Sequence, residues 1–163
     1  MDYFAEKITQ FVRKNEEKYC QLSQEIWRYA ELAFHEEKSS QALIQMLTQE
    51  GFAITTGLAG IPTAFVAKYG SGKPMVGILG EYDALPSLSQ KAGCPHREEL
   101  VPGGAGHGCG HNLLGVGSLG AALAVKAYLE TTGASGTVIY FGCPAEENGS
   151  AKAFLARDGG FGA

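Results

Sequence analysis

Over residues 2–19 the apolar side chains Phe4, Ile8, Phe11, Val12 and Tyr19 recur at near-helical spacing with charges between them, which predicts an amphipathic helix. A second helix follows at once, carried by Leu22, Ile26, Trp27, Tyr29 and Ala30. A third covers residues 37–49, turns Ala42, Leu43, Met46 and Leu47 inward and stops at Gly51, a residue suited to a helix C-terminus. From residue 52 the period shortens. Residues 52–56, 63–69 and 75–79 are short β-type runs bounded by Gly or Pro, which predicts a hairpin followed by a buried strand. Residues 86–110 have no clear period and hold Pro86, Pro95, Pro102 and many glycines. They read as a long loop, and such loops in compact domains tend to be functional. Residues 113–129, with Leu114, Leu119, Leu123, Val125 and Ala127, read as a mostly buried helix, and residues 137–141 as a buried strand. The order strand, loop, helix, strand predicts an α/β fold with a mainly parallel central sheet and a site at the carboxyl ends of its strands. Asp83 and Glu146 both fall at such ends.

Composition narrows the function classes. With 163 residues and a formal charge of −4, the chain is sized for one domain and offers no basic patch for a nucleic acid or an anionic membrane. Small-molecule chemistry is the better expectation. The four cysteines, Cys20, Cys94, Cys109 and Cys143, form no close-set disulfide framework, and nothing at the N-terminus reads as a secretory leader, so a cytoplasmic location is expected. No run reads as the ~20 apolar residues of a membrane span.

Chemistry concentrates in residues 106–112, Gly-His-Gly-Cys-Gly-His-Asn. A thiol and an imidazole stand two residues apart there, among glycines that permit close approach of backbone. Residues 144–147, Pro-Ala-Glu-Glu, add two adjacent carboxylates at the end of an apolar run. A soft ligand, an imidazole and a carboxylate pair point to a metal-activated hydrolase. Adjacent residues leaving a strand point in different directions, so Glu146 and Glu147 can divide metal binding and proton transfer between them. His107 reads equally as a ligand or as a packing donor. Cys20, Cys94 and Cys143 read as small buried hydrophobes, and His35 and His96 as structural or exposed. Residues 115–120, Gly-Val-Gly-Ser-Leu-Gly, match the dinucleotide fingerprint but lie inside a predicted helix rather than after a strand, so they read as close helix packing.

Taken together, Trp27 with the 31–36 run Glu-Leu-Ala-Phe-His-Glu, the 80–86 run Gly-Glu-Tyr-Asp-Ala-Leu-Pro, residues 106–115 and the 143–147 run Cys-Pro-Ala-Glu-Glu resemble the aminoacylase and glutamate-carboxypeptidase family of binuclear metallohydrolases. The match is to its amidohydrolase branch, which includes auxin-conjugate and p-aminobenzoyl-glutamate hydrolases. The resemblance implies a zinc-exopeptidase-like three-layer sandwich and two divalent metal ions, manganese or zinc. Cys109, His111 and Glu147 would be ligands, Glu146 the general base and acid, and Asp83 an orienting carboxylate in the catalytic set. Substrates would be N-acyl or N-aroyl amino acids or dipeptides, and the full-length parent a homodimer. Glu81 stands where peptidase branches carry a metal-binding His, and Asn112 where many members carry Asp.

Family members are roughly two to three times longer. The resemblance therefore implies that residues 1–163 are an N-terminal portion of the catalytic domain, without its lid domain and later histidine ligands, and inactive or nearly so alone. Two other functions stay open: a non-catalytic fragment acting through a partner chain, and a dinucleotide-binding module.

Overall fold

The computed structural model describes residues 3–161; the side chain of Phe4, placed above on the first helix, lies outside the described residues. Three helices open the chain: α1 (Tyr3–Lys14), α2 (Glu16–Tyr29) and α3 (Glu37–Gln49). The first predicted helix breaks at Asn15, whose side-chain amide donates back to the Phe11 carbonyl, so Tyr19 belongs to α2. Ile8 and Val12 on α1 stay exposed, whereas Leu22 and Ile26 of α2 and Leu43 and Leu47 of α3 are buried.

Strands β1 (Ala53–Thr56) and β2 (Phe65–Ser71) follow, then β3 (Met75–Glu81), the long helix α4 (His111–Thr132), β4 (Gly136–Cys143), and short helices α5 (Glu146–Gly149) and α6 (Ala151–Arg157). The sheet order is β1-β2-β4-β3. Only β3 and β4 run parallel; β1 with β2 and β2 with β4 are antiparallel. The α/β class is as expected, but the sheet is mixed rather than mainly parallel: the hairpin sets β1 against β2, and the short 72–74 connection reverses the chain between β2 and β3, so that β4, inserted between them and parallel to β3, runs antiparallel to β2.

Strand β4 is buried along its whole length and its alternating side chains build two cores. Val138 and Tyr140 join Leu22, Ile26, Leu43, Leu47, Leu119 and Leu123 beneath α2, α3 and α4. Ile139, Phe141 and Cys143 face Ile61, Ala151 and Leu155 on the other side. Helices thus cover both faces of the sheet. Strand β3, expected to be buried, is an edge: Met75, Val76 and Leu79 are 38%, 44% and 41% exposed. By length and composition α4 is apolar enough to cross a membrane, contrary to the sequence reading. Here it packs one face into the core through Val116, Leu119, Ala122 and Leu123, while Leu113, Leu114 and Tyr128 are exposed, so it is less buried than its sequence pattern predicts.

The glycines of residues 115–120 lie inside α4, as the packing reading requires. A Cβ at Gly115 would stand 2.5 Å from the Glu81 carbonyl oxygen, while one at Gly117 meets nothing within 4 Å. Gly115→Ala is therefore expected to destabilise by about 1–3 kcal/mol through overpacking. Gly117→Ala is expected to gain up to about 1 kcal/mol of helix propensity. Paired denaturant melts check both signs.

Candidate metal centre

Parallel β3 and β4 end at the same edge of the sheet, and the chain leaves both as turns that carry acids. Glu81 closes β3 and Asp83 follows it; past β4 come Glu146 and Glu147. The third contribution is the start of α4, where Gly110 takes a left-handed conformation (φ 82°) as the residue before the helix. That turn sets His111 as the first helical residue and leaves Cys109 just outside it.

His111 is the hub. Its Nδ1 lies 2.8 Å from Asp83 Oδ1, and its Nε2 lies 3.0 Å from Glu81 Oε2 and 3.8 Å from both Glu146 Oε2 and Glu147 Oε1. Asp83 Oδ2 accepts the Glu147 backbone N–H at 3.0 Å, so one buried carboxylate fixes both the imidazole and the turn that carries the glutamates. A carboxylate on one ring nitrogen, leaving the other for a cation, is the usual support of a metal-binding histidine. The Asp83 contact raises the His111 pKa above its ordinary value, although burial opposes this. Burial pushes the Asp83 carboxyl up, but His111 and the Glu147 N–H outweigh it and hold it below the usual range.

Two overlapping donor groups result: Cys109, His111 and Glu147, and Glu81, His111 and Glu146. Glu147 Oε1 is buried and finds no hydrogen-bond donor among the described residues. An orphaned carboxylate oxygen beside a thiol and an imidazole fits a bound cation well. With Nδ1 committed to Asp83, His111 has one nitrogen to offer and completes only one of the two groups. The other would rest on Glu81 and Glu146, and Lys152 already forms an ion pair with Glu81. Every residue expected to carry the site is brought to this edge. Lys152, which sequence reasoning passed over, joins them from α6, and Glu81, left unassigned by its motif, also faces the imidazole.

His107 and Asn112 are both tied to α2, although His107 Nδ1 is buried without a hydrogen-bond partner among the described residues. His107 Nε2 donates to the Ile26 carbonyl at 3.1 Å, so the proton sits on that nitrogen, and burial lowers its pKa. Asn112 donates to Ser23 Oγ at 3.1 Å, pointing to α2 rather than to the acids.

Glu36 is the hidden support. Fully buried, it accepts from the Phe34 and Ala145 N–H groups at 3.0 and 2.7 Å and from Thr63 Oγ1 at 3.1 Å. Ala145 occupies a left-handed conformation (φ 52°, ψ 43°) directly before Glu146, which is costly for a residue with a Cβ. The Glu36 carboxylate holds that turn in place.

Protons and a cation compete here. The Glu147 carboxylate raises the Cys109 thiol pKa, so in the metal-free chain both Cys109 and His111 hold protons more tightly than usual. A group whose folded pKa is raised stabilises the fold below its unfolded value and loses that contribution as pH rises through the folded one. Metal-free Tm is therefore expected to fall as pH rises through the His111 titration. Over the same range apparent metal affinity is expected to climb, by about tenfold per pH unit for each proton displaced. Calorimetric titrations in buffers of different ionisation enthalpy count those protons.

An α/β frame that gathers a thiol, an imidazole and several acids where two parallel strands end is a frame suited to holding a divalent cation. Residues 77–163 match the model of peptidase family M20/M25/M40, and the chain belongs to that family. It is 46% identical over 154 residues to one of the subunits of the p-aminobenzoyl-glutamate hydrolase of Escherichia coli, covering 94% of this chain and 32% of the relative. It is 35% identical over 152 residues to the Xaa-Arg dipeptidase of Mus musculus, covering 86% and 31%. The chain thus spans about a third of the length of these curated relatives. Among solved structures, a Bacillus subtilis protein described as a dinuclear metal-binding peptidase of the M20 family superposes with a TM-score of 0.74 at 20% identity, over 92% of this chain and 41% of that one. That likeness bears on the fold.

Proposed function

We propose that this chain carries the metal-binding and proton-transfer part of an amidohydrolase that cleaves N-acyl or N-aroyl amino acids of the p-aminobenzoyl-glutamate type, or dipeptides. The observation that carries the reading is the buried Glu147 Oε1, which has no hydrogen-bond donor among the described residues and faces Cys109 and His111. Cys109, His111 and Glu147 would hold one divalent cation, manganese or zinc, and Glu81 with Glu146 would offer the start of a second position. A cation there supplies Lewis acidity, polarising an amide carbonyl and acidifying water. Glu146, the more exposed of the two adjacent glutamates with 39% of its side chain accessible, would take the proton of the attacking water and return it to the leaving amine nitrogen. Asp83 would keep His111 oriented. The free state of all four cysteines supports a reducing, cytoplasmic setting.

The site as it stands is open: Cys109 is exposed, and nothing among the described residues closes over Glu146. Hydrolytic sites work by excluding bulk water, so we expect firm metal binding and weak turnover from this chain alone. Mn²⁺- or Zn²⁺-loaded chain should release p-aminobenzoate slowly from p-aminobenzoyl-glutamate, and Glu146→Gln should cut that rate about 10²–10⁴-fold while retaining metal. Turnover that survives Glu146→Gln, or a chain with neither metal nor turnover, contradicts the reading.

The β3 edge favours a second role, association with another polypeptide. Its outer backbone groups have no strand partner among the described residues, and its exposed Met75, Val76 and Leu79 suit strand addition. A monomer at all concentrations by sedimentation would speak against self-association through it.

A further inference from the structure

We propose that Cys94, His96 and Glu98 form a separate divalent-cation site of the zinc type, which clamps the 89–104 loop. In the sequence Cys94 and His96 read as a small hydrophobe and a solvent-exposed histidine. The structure brings the three donor atoms together instead. Cys94 Sγ lies 3.3 Å from His96 Nε2 and 3.2 Å from Glu98 Oε2, and His96 Nε2 lies 3.4 Å from Glu98 Oε2. Donors at zinc distances of about 2.0–2.3 Å stand roughly 3.3–3.6 Å apart in tetrahedral geometry. The spacings of sulfur, nitrogen and oxygen are within a few tenths of an ångström of one face of a zinc tetrahedron; because Cys94 Sγ also lies 3.6 Å from His96 Nδ1, beside the Cε1 edge of the ring, the exposed imidazole has to turn to aim Nε2 at the cation. Thiolate with imidazole and a carboxylate is also a donor set that favours zinc over magnesium or calcium.

The ligands are held by the loop rather than by each other alone. Gln90 Nε2 donates to the Cys94 and His96 carbonyls at 3.2 and 2.8 Å, while its Oε1 accepts the Glu98 N–H at 3.1 Å. The Lys91 N–H closes the same turn onto the Glu98 carbonyl at 2.8 Å. Lys91 Nζ pairs with Glu98 Oε1, which leaves Oε2 turned towards Cys94 and His96. His96 is 73% exposed at its side chain, so water can fill the fourth position. No residue of the first site takes part. The same loop supplies Ser89, Gln90, Leu100, Val101 and Gly104 to a cavity of about 400 Å³ that also touches His107. A cation at Cys94 would therefore stiffen one wall of a cavity beside the first site.

Cobalt(II) is the probe, because thiolate ligation gives a sulfur-to-cobalt charge-transfer band whether or not the protein turns anything over. Cys109→Ala chain should retain one cobalt equivalent with that band and with a tetrahedral visible spectrum. Adding Cys94→Ala should remove the band without changing the circular dichroism, and His96→Ala should weaken binding at least tenfold. Zinc should protect the loop from tryptic cleavage at Arg97 in the Cys109→Ala chain and not when Cys94→Ala is added. Absence of the band in Cys109→Ala, or its persistence after Cys94→Ala, overturns the proposal. Because Cys109 is already removed, neither result depends on the first site.

Discussion

His111→Ala is expected to abolish firm divalent-metal binding at the strand-end site, and Asp83→Asn to weaken it about 10–100-fold. The imidazole belongs to both donor groups, so no rearrangement of the remaining acids replaces it. Asp83 acts at one remove. It sets the ring through Nδ1 and the Glu147 backbone through its second oxygen, and the asparagine keeps one acceptor where two are used. The two variants separate a ligand from its support when dissociation constants are measured by competition with a chromophoric chelator on the Cys94→Ala background. Equal losses in both would deny His111 the central role.

Glu36→Ala is expected to cost on the order of 3–5 kcal/mol, among the larger effects of a single substitution, and to lower Tm by roughly 10 °C. The substitution strands the Phe34 and Ala145 N–H groups and the Thr63 hydroxyl, all served by one carboxylate. It also frees Ala145 from its left-handed conformation, so Glu146 and Glu147 lose their placement and metal affinity drops with stability. Glu36→Gln keeps the shape and one acceptor oxygen, and its losses should fall between those of wild type and Glu36→Ala. A Glu36→Ala chain that melts within a degree or two of wild type would show that water or another group takes over the acceptor role.

Much of this was legible in the sequence where local chemistry decides the outcome. Gly51 marks a helix end because glycine takes a positive φ at little cost (φ 82°), and the Cys109/His111 pair with Glu146 and Glu147 announced the site. The expected hairpin at β1 and β2 formed, and α3 and α4 lie where periodicity placed them. What failed depends on neighbours. The β3 run is apolar enough for a buried strand, yet burial is set by which strands flank it, and here it is an edge. A parallel core strand and an antiparallel one share the same hydrophobic pattern, so the mixed sheet could not be read from composition.

Side-chain partners were hidden for the same reason. Glu36 is a glutamate at a helix start, indistinguishable in sequence from a solvated one, until β4 delivers Ala145 to it from 109 residues away. Lys152 comes from α6 to meet Glu81. Cys94 and His96 lie in a stretch without period, where only the Gln90 hydrogen bonds bring their donors to one side.

The most direct test of the strand-end metal site is the metal content of the Cys94→Ala chain, equilibrated with Zn²⁺ or Mn²⁺, dialysed and analysed by mass spectrometry beside the same chain with Cys109→Ser added. We predict about one retained equivalent that disappears with Cys109→Ser, in keeping with one nitrogen on His111 and one orphaned oxygen on Glu147. No retained metal, or the same amount with and without Cys109, would contradict it.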